Sequence, residues 1–406
     1  MNNKLFDFIF ASPTPYHAVK NVADMLINEG FIRLNENEDW VLEKNKNYFV
    51  TRNTSSVIAF KVPEDFSSFM ISAAHSDTPT FKVKENSLLK EGEYTKLSVE
   101  KYGGPILSTW LDRPLAVAGR VLIETENGIE AKLFDTETPV CIIPTVAPHL
   151  DYNCEYSLNV DMIPMVSSGF KKEENVIASD LFLYNPQRGY QFGEYISAPR
   201  IDDLMCAFAT LRAFIDAKNY KNMPVMCIFD NEEVGSGTKQ GADSTFLDDV
   251  LNRIAQNLNK NLKTMIASSL LISCDNGHAV HPNHPELTDK NHSSYMNKGV
   301  MIKYNANQKY TTDGVSSAIF KKICKKAQIP YQEYCNRADK RGGGTLGHIS
   351  IAHVSVNTID IGLAQLSMHS IMETAAAEDT AYMVSAVKAF FETELKMIED
   401  GKFNIK

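Results

Sequence analysis

The chain has 406 residues, of which 44% are hydrophobic and 22% charged, a composition typical of a globular protein with a substantial core. Its formal net charge of −9 argues against a nucleic-acid partner, because proteins that bind a phosphate backbone usually carry a basic surface. No stretch reaches the roughly 18 apolar residues that span a bilayer, so no membrane partner is expected.

The cysteine pattern predicts a reducing compartment. The seven cysteines are an odd number, and they are scattered without a C-x-x-C pair, unlike the disulfide framework of a small secreted domain. The apolar patch at residues 5–10 is interrupted by Asp7 and is too short for a signal peptide. We therefore expect free thiols and a cytoplasmic location.

The first predicted elements are a helix and several short strands. Residues 16–29 have helical hydrophobic spacing between Pro15 and Gly30, which are common start and stop signals. Short β-like runs follow at residues 40–42, 47–52, 56–62 and 69–74.

The pattern changes at about residue 84. From there to about residue 195, β-like runs separated by turn residues dominate, at 96–99, 115–124, 129–134 and 140–144. From about residue 198, helices and buried strands alternate again, as in an α/β layer. We therefore predict an α/β catalytic domain formed by residues 1–84 and 196–406. A β-rich insertion of residues 85–195 interrupts it.

Four predicted strands are each followed by side chains that commonly bind metal ions in proteins. In chain order, these side chains are His75, Glu232 with Glu233, Asp275 and His369. Ligands of open α/β sheets bind at the carboxyl ends of the strands, so these side chains are expected to converge. Asp202 comes directly before an amphipathic segment and adds a carboxylate at a helix N-terminus.

The number of candidate ligands favours two metal ions over one. Two histidines and three carboxylates exceed what a single tetrahedral zinc ion with an open position needs. Two ions about 3.5–4 Å apart that share a carboxylate would use all five and hold a bridging water. Asp77, two residues after His75, is placed to accept the other imidazole N–H.

Each of these residues also has a structural interpretation when it is taken alone. An aspartate before a helix is more often a cap, and a pair of glutamates is more often solvated surface. A single histidine after a strand is more often an interior polar group with its hydrogen bonds satisfied. The metal site is favoured because all of these residues fall at one predicted sheet edge.

Further segments near these residues are interpreted as parts of the pocket. His278 and His281 follow Asp275 closely and are assigned to the pocket lining, not to the metal shells. The glycine-rich run 342–345 lacks the Gly-Lys-Ser/Thr of a phosphate-binding loop. A turn that presents backbone N–H groups to a substrate is preferred, with Gly343 and Thr345 as substrate-binding residues.

These motifs resemble those of the aspartyl aminopeptidase family of dinuclear zinc metallopeptidases, over nearly the whole chain. The segments that carry the resemblance are ASPTPYHAV at 11–19, AHSDTP at 74–79, WLDRPL at 110–115, PRID at 199–202, FDNEEVGS at 229–236, HAVHPN at 278–283 and LSMHS at 366–370. The resemblance implies a three-layer α/β/α peptidase domain that carries a β-rich domain for assembly.

The resemblance also implies roles for individual residues. Within it, His75 and Asp275 hold one zinc ion, Glu233 and His369 hold the other, Asp202 bridges them, Glu232 is the general base and Asp77 supports His75. His149 matches a histidine that a neighbouring subunit inserts to stabilise the oxyanion. Lys303 matches a lysine that meets an acidic substrate side chain, although its position alone favours an ordinary surface lysine.

Three departures from the family pattern lie near the expected pocket. Asp203 stands where asparagine is usual, His348 where proline is usual, and Asn276–Gly277 replaces a bulkier residue followed by a small one. Substrate preference therefore depends on residues that differ from the family, whereas the proposed ligands and base all match it.

The resemblance implies a metallo-aminopeptidase that removes the N-terminal residue of peptides, with acidic residues preferred. It further implies two Zn²⁺ per subunit and a large homo-oligomer, often a tetrahedral dodecamer. Carboxylate-rich sites of this kind also accept Mn²⁺ or Co²⁺.

Two alternatives to an aminopeptidase stay open. A related dinuclear hydrolase, such as a deacylase or carboxypeptidase acting on small amides, would use the same ligand set, but the insertion and the motif matches outside the metal shell disfavour it. An inactive assembly scaffold is the second alternative, and it is disfavoured because no candidate ligand and no candidate base is missing.

Overall fold

The computed structural model describes the chain except for residues 151–154, 168–169, 171–174, 341 and 351, and it does not describe the side chain of His348. The described residues form helices α1 Asn2–Phe10, α2 Pro15–Asn28, α3 Ile201–Asp216, α4 Phe246–Asn257, α5 Leu262–Ala267, α6 Gly314–Ala327, α7 Leu346–Ser350 and α8 Asp379–Phe391. The substitution of the usual proline by His348 therefore lies outside what can be described.

The strands are numbered in chain order. They are β1 Ile32–Leu34, β2 Asn47–Arg52, β3 Ser56–Lys61, β4 Phe69–His75, β5 Thr80–Glu91, β6 Tyr94–Tyr102, β7 Ala116–Thr125, β8 Gly128–Asp135, β9 Cys141–Ile142, β10 Met165–Val166, β11 Val176–Tyr184, β12 Tyr190–Phe192, β13 Tyr195–Ala198, β14 Met223–Phe229, β15 Leu270–Cys274, β16 Gly277–His278, β17 Val300–Tyr304, β18 Tyr331–Cys335, β19 Asn357–Gly362, β20 Ala364–Leu366, β21 Glu373–Ala376, β22 Leu395–Glu399 and β23 Lys402–Ile405.

A nine-stranded sheet forms the centre of the fold. Its order is β1-β2-β3-β14-β4-β15-β19-β17-β18. The four strands β14, β4, β15 and β19 are mutually parallel, so their carboxyl ends meet at one edge. Strands β14, β4 and β15 are buried along their whole length, as expected for strands covered on both faces.

Helices cover both faces of this sheet. Because side chains alternate along a strand, Ile272 of β15 packs into the hydrophobic layer that contains α3 and α8, whereas Leu271 packs into the layer that contains α4. This three-layer arrangement and the additional β-rich part confirm the predicted fold class.

A seven-stranded sheet with the order β8-β7-β11-β5-β6-β10-β9 lies within residues 80–184. Phe81, Trp110 and Leu115 belong to its own hydrophobic core, into which Ile371 from the α/β part also packs. Strand β12 lies within the predicted insertion but belongs to another sheet, which it shares with β13. The insertion boundaries at 85 and 195 remain a prediction.

The third sheet, with the order β12-β13-β21-β20-β16, joins segments that approach the sheet edge. Strand β13 pairs with β21 and leads directly into α3. Strands β20 and β21 form an antiparallel pair whose connecting segment contains His369. This small sheet thus fixes two chain segments beside the carboxyl ends of the central strands.

Most of the elements predicted from the sequence are present, with shifted ends. The strand predicted at residues 40–42 is wrong, since these residues form no strand. Trp40 is buried as a single anchor, its Nε1–H donating to the carbonyl of Asn35 at 2.9 Å, with the Arg253 guanidinium 3.9 Å from the ring centroid. Its burial beside exposed Val41 imitates the alternation of a strand. None of the described helices combines the length and apolarity of a bilayer-spanning segment.

Candidate active site

The predicted convergence at the sheet edge is present in the structure. His75 is the last residue of β4 and pairs in register with Phe229, so the acidic segment after β14 begins beside it. Asp275 follows β15 directly, and Asp202 lies in the first turn of α3. Three groups of ligand atoms, each group within 4.8 Å, are formed by His75 with Asp202, Asp203 and Asp275, by His75 with Glu232 and Glu233, and by Asp202 with Glu233 and His369.

Asp202 lies between the two histidines. Its Oδ1 is 3.6 Å from Nε2 of His75, and its Oδ2 is 3.5 Å from Nε2 of His369. The same nitrogen of His369 is 3.5 Å from Oε2 of Glu233. Each oxygen of Asp202 therefore faces a different histidine, which is the arrangement a bridging carboxylate requires.

Both histidines present the same ring nitrogen to Asp202. Nδ1 of His75 lies 3.0 Å from the carbonyl oxygen of Asp77, and Nδ1 of His369 lies 3.1 Å from that of Gly104. A carbonyl oxygen only accepts hydrogen bonds, so Nδ1 must carry the hydrogen in each ring. In the neutral imidazoles, the lone pair is then on Nε2, directed at the carboxylates.

Several buried oxygens at the site have no hydrogen-bond partner among the described residues. They are Oδ1 of Asp202, Oδ1 of Asp203 and Oε1 of Glu233. A buried carboxylate oxygen without a partner is unfavourable, and a bound cation removes this cost. The two histidine lone pairs and these oxygens therefore fit divalent cations that prefer nitrogen and oxygen ligands.

The density of negative charge changes the proton affinities at the site. Burial, together with the charge of neighbouring carboxylates, raises the pKa of Glu232 to about 8. Burial also raises the pKa of Asp275 to about 6, although the ammonium of Lys303 opposes the shift. Burial of His75 lowers its pKa, but the nearby carboxylates of Asp202 and Asp77 outweigh this, and its pKa is raised.

Asp77, which the sequence analysis assigned to the support of His75, contacts two parts of the site. Its carboxylate accepts the backbone N–H groups of Glu232 and Glu233, at 3.0 and 3.1 Å. The hydroxyl of Tyr102 donates to its Oδ2 at 2.7 Å. Asp77 thereby orients the imidazole of His75 and the turn that carries both glutamates.

The end of β6 and the residues that follow reach into the site. Beyond Tyr102, the backbone of Gly103 has φ +68°, and a Cβ there would lie 3.2 Å from Cβ of Glu233. The carbonyl of Gly104 accepts from His369. The β-rich part thus contributes contacts to two of the predicted ligands.

Lys303 of β17 is almost completely buried, with 1% of its surface exposed, and is not the surface lysine of the alternative interpretation. Its Nζ donates to the carbonyl of Asn276 at 2.8 Å and lies 3.6 Å from Oδ2 of Asp275. The backbone of Gly362 lies close to the Lys303 side chain, since a Cβ on Gly362 would lie 2.8 Å from Cε of Lys303. Its predicted contact with a substrate remains a prediction.

The other predicted pocket residues differ in their surroundings. His278 lies in β16 and is exposed, and Gly343 is exposed in the segment before α7. Thr345 is buried, and its hydroxyl donates to Oδ1 of Asp360 at 2.5 Å, so its predicted substrate contact remains a prediction. His149 lies in an exposed turn, and its predicted role in a neighbouring site remains a prediction.

Three residues of the site were not selected from the sequence. Asp203 accepts the backbone N–H of His75 at 3.1 Å and joins the carboxylate group, but it appeared only as a departure from the family pattern. Tyr102 is distant in sequence from Asp77, and Glu373 is distant from Asp202, although each pair is in contact. The spacing of Glu373, four residues after His369, was the one available signal.

Known proteins resemble this chain over most of its length. Residues 8–168 and 165–391 match the family model described as Aminopeptidase I zinc metalloprotease (M18). A "Probable M18 family aminopeptidase 2" of Clostridium acetobutylicum is 41% identical, covering 96% of this chain and 98% of that protein. A "Probable aspartyl aminopeptidase" of Ricinus communis is 33% identical, covering 97% and 95%.

A solved structure shows the same fold. The structure of the S. cerevisiae mApe1 dodecamer has a TM-score of 0.86 and 28% identity, and covers 96% of each chain. Fold and site define a zinc metallo-exopeptidase. The chain belongs to the M18 family of aminopeptidases, which confirms the predicted resemblance and enzyme class.

We expect Tyr102→Phe to reduce aminopeptidase activity about 10–100-fold, because Asp77 loses a hydrogen bond that holds it against His75 and the glutamate turn. Tyr48→Phe is the matched control, since its hydroxyl accepts from the backbone N–H of Glu43 far from the site. Steady-state rates and denaturant unfolding of both variants provide the test. Equal activity losses in the two variants would contradict a specific role for Tyr102.

The metal-free protein should lose stability as the pH rises from 6.5 to about 8. The pKa values of Glu232 and Glu373 are raised to about 8 in the folded state, mainly by burial, so the folded chain binds more protons than the unfolded chain in this window. The free energy of unfolding should fall by a few kcal/mol. Denaturant unfolding in the presence of a chelator, at several pH values, measures this free energy.

Added zinc should reverse this trend, because a cation favours the ionised carboxylates. Glu232→Gln lacks one of the titrating groups and should show a shallower pH dependence without zinc. A chelated wild-type protein with constant stability across this window would refute the expected charge density at the site.

Proposed function

We propose that the protein is a dinuclear zinc aminopeptidase that hydrolyses the N-terminal residue of peptides. The observation that carries the proposal is the position of Asp202, with one oxygen facing each of His75 and His369. Asp275 and Glu233 complete the two sides of this centre, as the ligand-atom groups around Asp202 indicate. Five side chains thereby supply two cation sites with a shared carboxylate.

The proposed ligands of one zinc ion are His75 and Asp275, and those of the other are Glu233 and His369. When bound, two zinc ions would polarise the scissile carbonyl and lower the pKa of a bridging water. Mn²⁺ or Co²⁺ would suit the same nitrogen and oxygen ligands. The family description supports zinc, while the number of two ions is our proposal.

Glu232 is the proposed general base. Its backbone N–H is fixed by Asp77, and its carboxyl lies in the ligand group of His75 and Glu233. A carboxylate oxygen of Glu232 accepts a proton from the attacking water and later donates it to the nitrogen of the leaving amine. Its raised pKa suits both transfers near neutral pH.

Cleavage at the terminal residue is proposed to follow from recognition of the free α-amino group. A bound zinc ion and the nearby carboxylates would anchor this group. An internal peptide bond has no free amine to offer. The site thus anchors the N-terminus and places the first peptide bond beside Glu232.

A preference for acidic N-terminal residues is the more specific part of the proposal. The Ricinus relative carries the name aspartyl aminopeptidase, which supports it. Lys303 supplies a positive charge beside Asp275, and its role is to meet an acidic substrate side chain. His278, Gly343 and the backbone of Thr345 are assigned to the walls of the same pocket.

We further propose that the protein assembles into a homo-oligomer, with a dodecamer as the expected size. The yeast structural neighbour is described as a dodecamer. Large apolar side chains are exposed in the β-rich part, with Leu150 at 83%, Val160 at 73% and Tyr94 at 64%, and an interface would bury them. His149, beside Leu150, would then enter the site of a neighbouring subunit to stabilise the oxyanion.

The cytoplasmic location remains a proposal. The six cysteines in the described part of the chain are free thiols, five of them buried, which is the state a reducing compartment maintains.

A panel of substrates separates the proposed activity from its first alternative. We expect hydrolysis of aminoacyl substrates with a free α-amine, fastest for Asp or Glu, and no hydrolysis of the same amides after N-acylation. Activity only on N-acylated amides would overturn the proposal in favour of a deacylase. Equal rates on acidic and apolar residues would overturn only the assigned role of Lys303.

We expect Glu232→Gln to retain zinc and to lose about 10²–10⁴-fold in kcat, because the base is removed while the proposed ligands remain. Glu64→Gln, on the far surface with hydrogen bonds to Asn45 and Lys44, is the control and should keep the wild-type rate. Zinc analysis and turnover are measured on the same samples. A Glu232→Gln variant with wild-type kcat would remove this residue from the mechanism.

A further inference from the structure

Glu373 contacts the backbone of two proposed ligands at once. Its Oε2 accepts the N–H of Asp202 at 2.9 Å, and its Oε1 accepts the N–H of His369 at 2.7 Å. The side chain is buried, with 2% of its surface exposed. We propose that Glu373 is a positioning residue that sets the distance between the bridging carboxylate and the histidine of the second zinc site.

The inference rests on the proposed metal roles of Asp202 and His369. The backbone angles of Asp202 and His369 differ from those of a regular helix or strand. Asp202 has non-helical angles, φ −82° and ψ 109°, within the first turn of α3. His369 has φ 69°, a left-handed conformation that is unfavourable for a residue with a side chain.

The two N–H groups of these ligands would otherwise lack a regular partner. A carboxylate that accepts a backbone N–H makes a charge-assisted hydrogen bond, stronger than one between neutral groups. A single rigid carboxylate group therefore holds both irregular segments and fixes them relative to each other.

The strand register explains why residue 373 has this position. Glu373 is the first residue of β21 and pairs with Ala198, the last residue of β13, four residues before Asp202. The hydroxyl of Ser197 donates to the carbonyl of Glu373 at 3.0 Å and fixes its backbone. Glu373 thus lies where the segments leading to Asp202 and His369 separate.

A second contact extends the network toward the other zinc site. Nε2 of Gln365 donates to Oε1 of Glu373 at 3.3 Å. Oε1 of Gln365 accepts from Nδ2 of Asn276 at 2.8 Å. Asn276 follows Asp275 directly in the chain. The network Glu373–Gln365–Asn276 therefore lies next to ligands of both proposed sites.

The chain offers a matched control for the hydrogen-bonding pattern. Asp379 is also a buried carboxylate that accepts two backbone N–H groups, those of Asn297 at 2.9 Å and Gly299 at 3.0 Å. It fixes the start of α8 and contacts none of the proposed ligands through these bonds. Loss of one carboxylate oxygen should affect fold stability in both variants and zinc affinity in only one.

Glu373→Gln replaces one acceptor oxygen with an NH₂ group that faces a backbone N–H. We expect the weaker of the two zinc affinities to fall 10–100-fold, measured by competition of the full-length protein with a chromogenic chelator. Asp379→Asn should bind zinc like the wild type. Unfolding curves of the metal-free variants establish that both are folded.

Wild-type affinity in Glu373→Gln, or equal losses in both variants, would overturn the positioning role. A wild-type protein that binds no zinc would instead refute the proposed function, so the two failures are distinguishable. If Glu373→Gln does not fold, Glu373→Asp provides the test, because the shorter side chain keeps the charge but no longer reaches both N–H groups. Wild-type zinc affinity in Glu373→Asp would equally overturn the inference.

Discussion

The site contains several carboxylates that are buried close together, although their mutual repulsion makes this arrangement energetically unfavourable. Asp202, Glu233 and Asp275 lie at one sheet edge, out of contact with most of the solvent that would otherwise screen their charges. In a medium of low polarity, like charges at such distances repel strongly. The fold opposes this repulsion with fixed positive groups, such as the backbone N–H groups of Glu232 and Glu233 that donate to Asp77, and the ammonium of Lys303 beside Asp275. The oxygens that these donors leave unpaired are the ones available to cations.

The architecture supplies this arrangement from three sheets. Parallel strands of the central sheet bring His75 and Asp275 together, because their carboxyl ends coincide. The small third sheet adds the segments of Asp202 and His369 from the side. The β-rich sheet adds Tyr102, whose hydroxyl reaches Asp77. The proposed metal centre thus combines residues positioned by three different sheets, and no single segment of the chain contains all of them.

The parts of the site that follow from local rules were predictable from the sequence. Apolar strands that end in His75 and Asp275 identify a sheet edge, and the helix signals around residues 15–28 match α2. The contacts of Tyr102 and Glu373 depend on how β6 and β21 are placed in three dimensions, which the local pattern does not encode. The strand predicted around Trp40 is an error of a different kind, because the alternation of buried and exposed residues in this loop imitates the pattern of a strand.

The contact between the carbonyl of Gly104 and the ring of His369 has a consequence for the modularity of the chain. That carbonyl determines which nitrogen of the imidazole carries the hydrogen, and it belongs to the loop after β6. A shortened protein that joined residue 79 to residue 185 would lose this acceptor. The β-rich part therefore contributes to the proposed metal site itself, in addition to the role proposed for it between subunits.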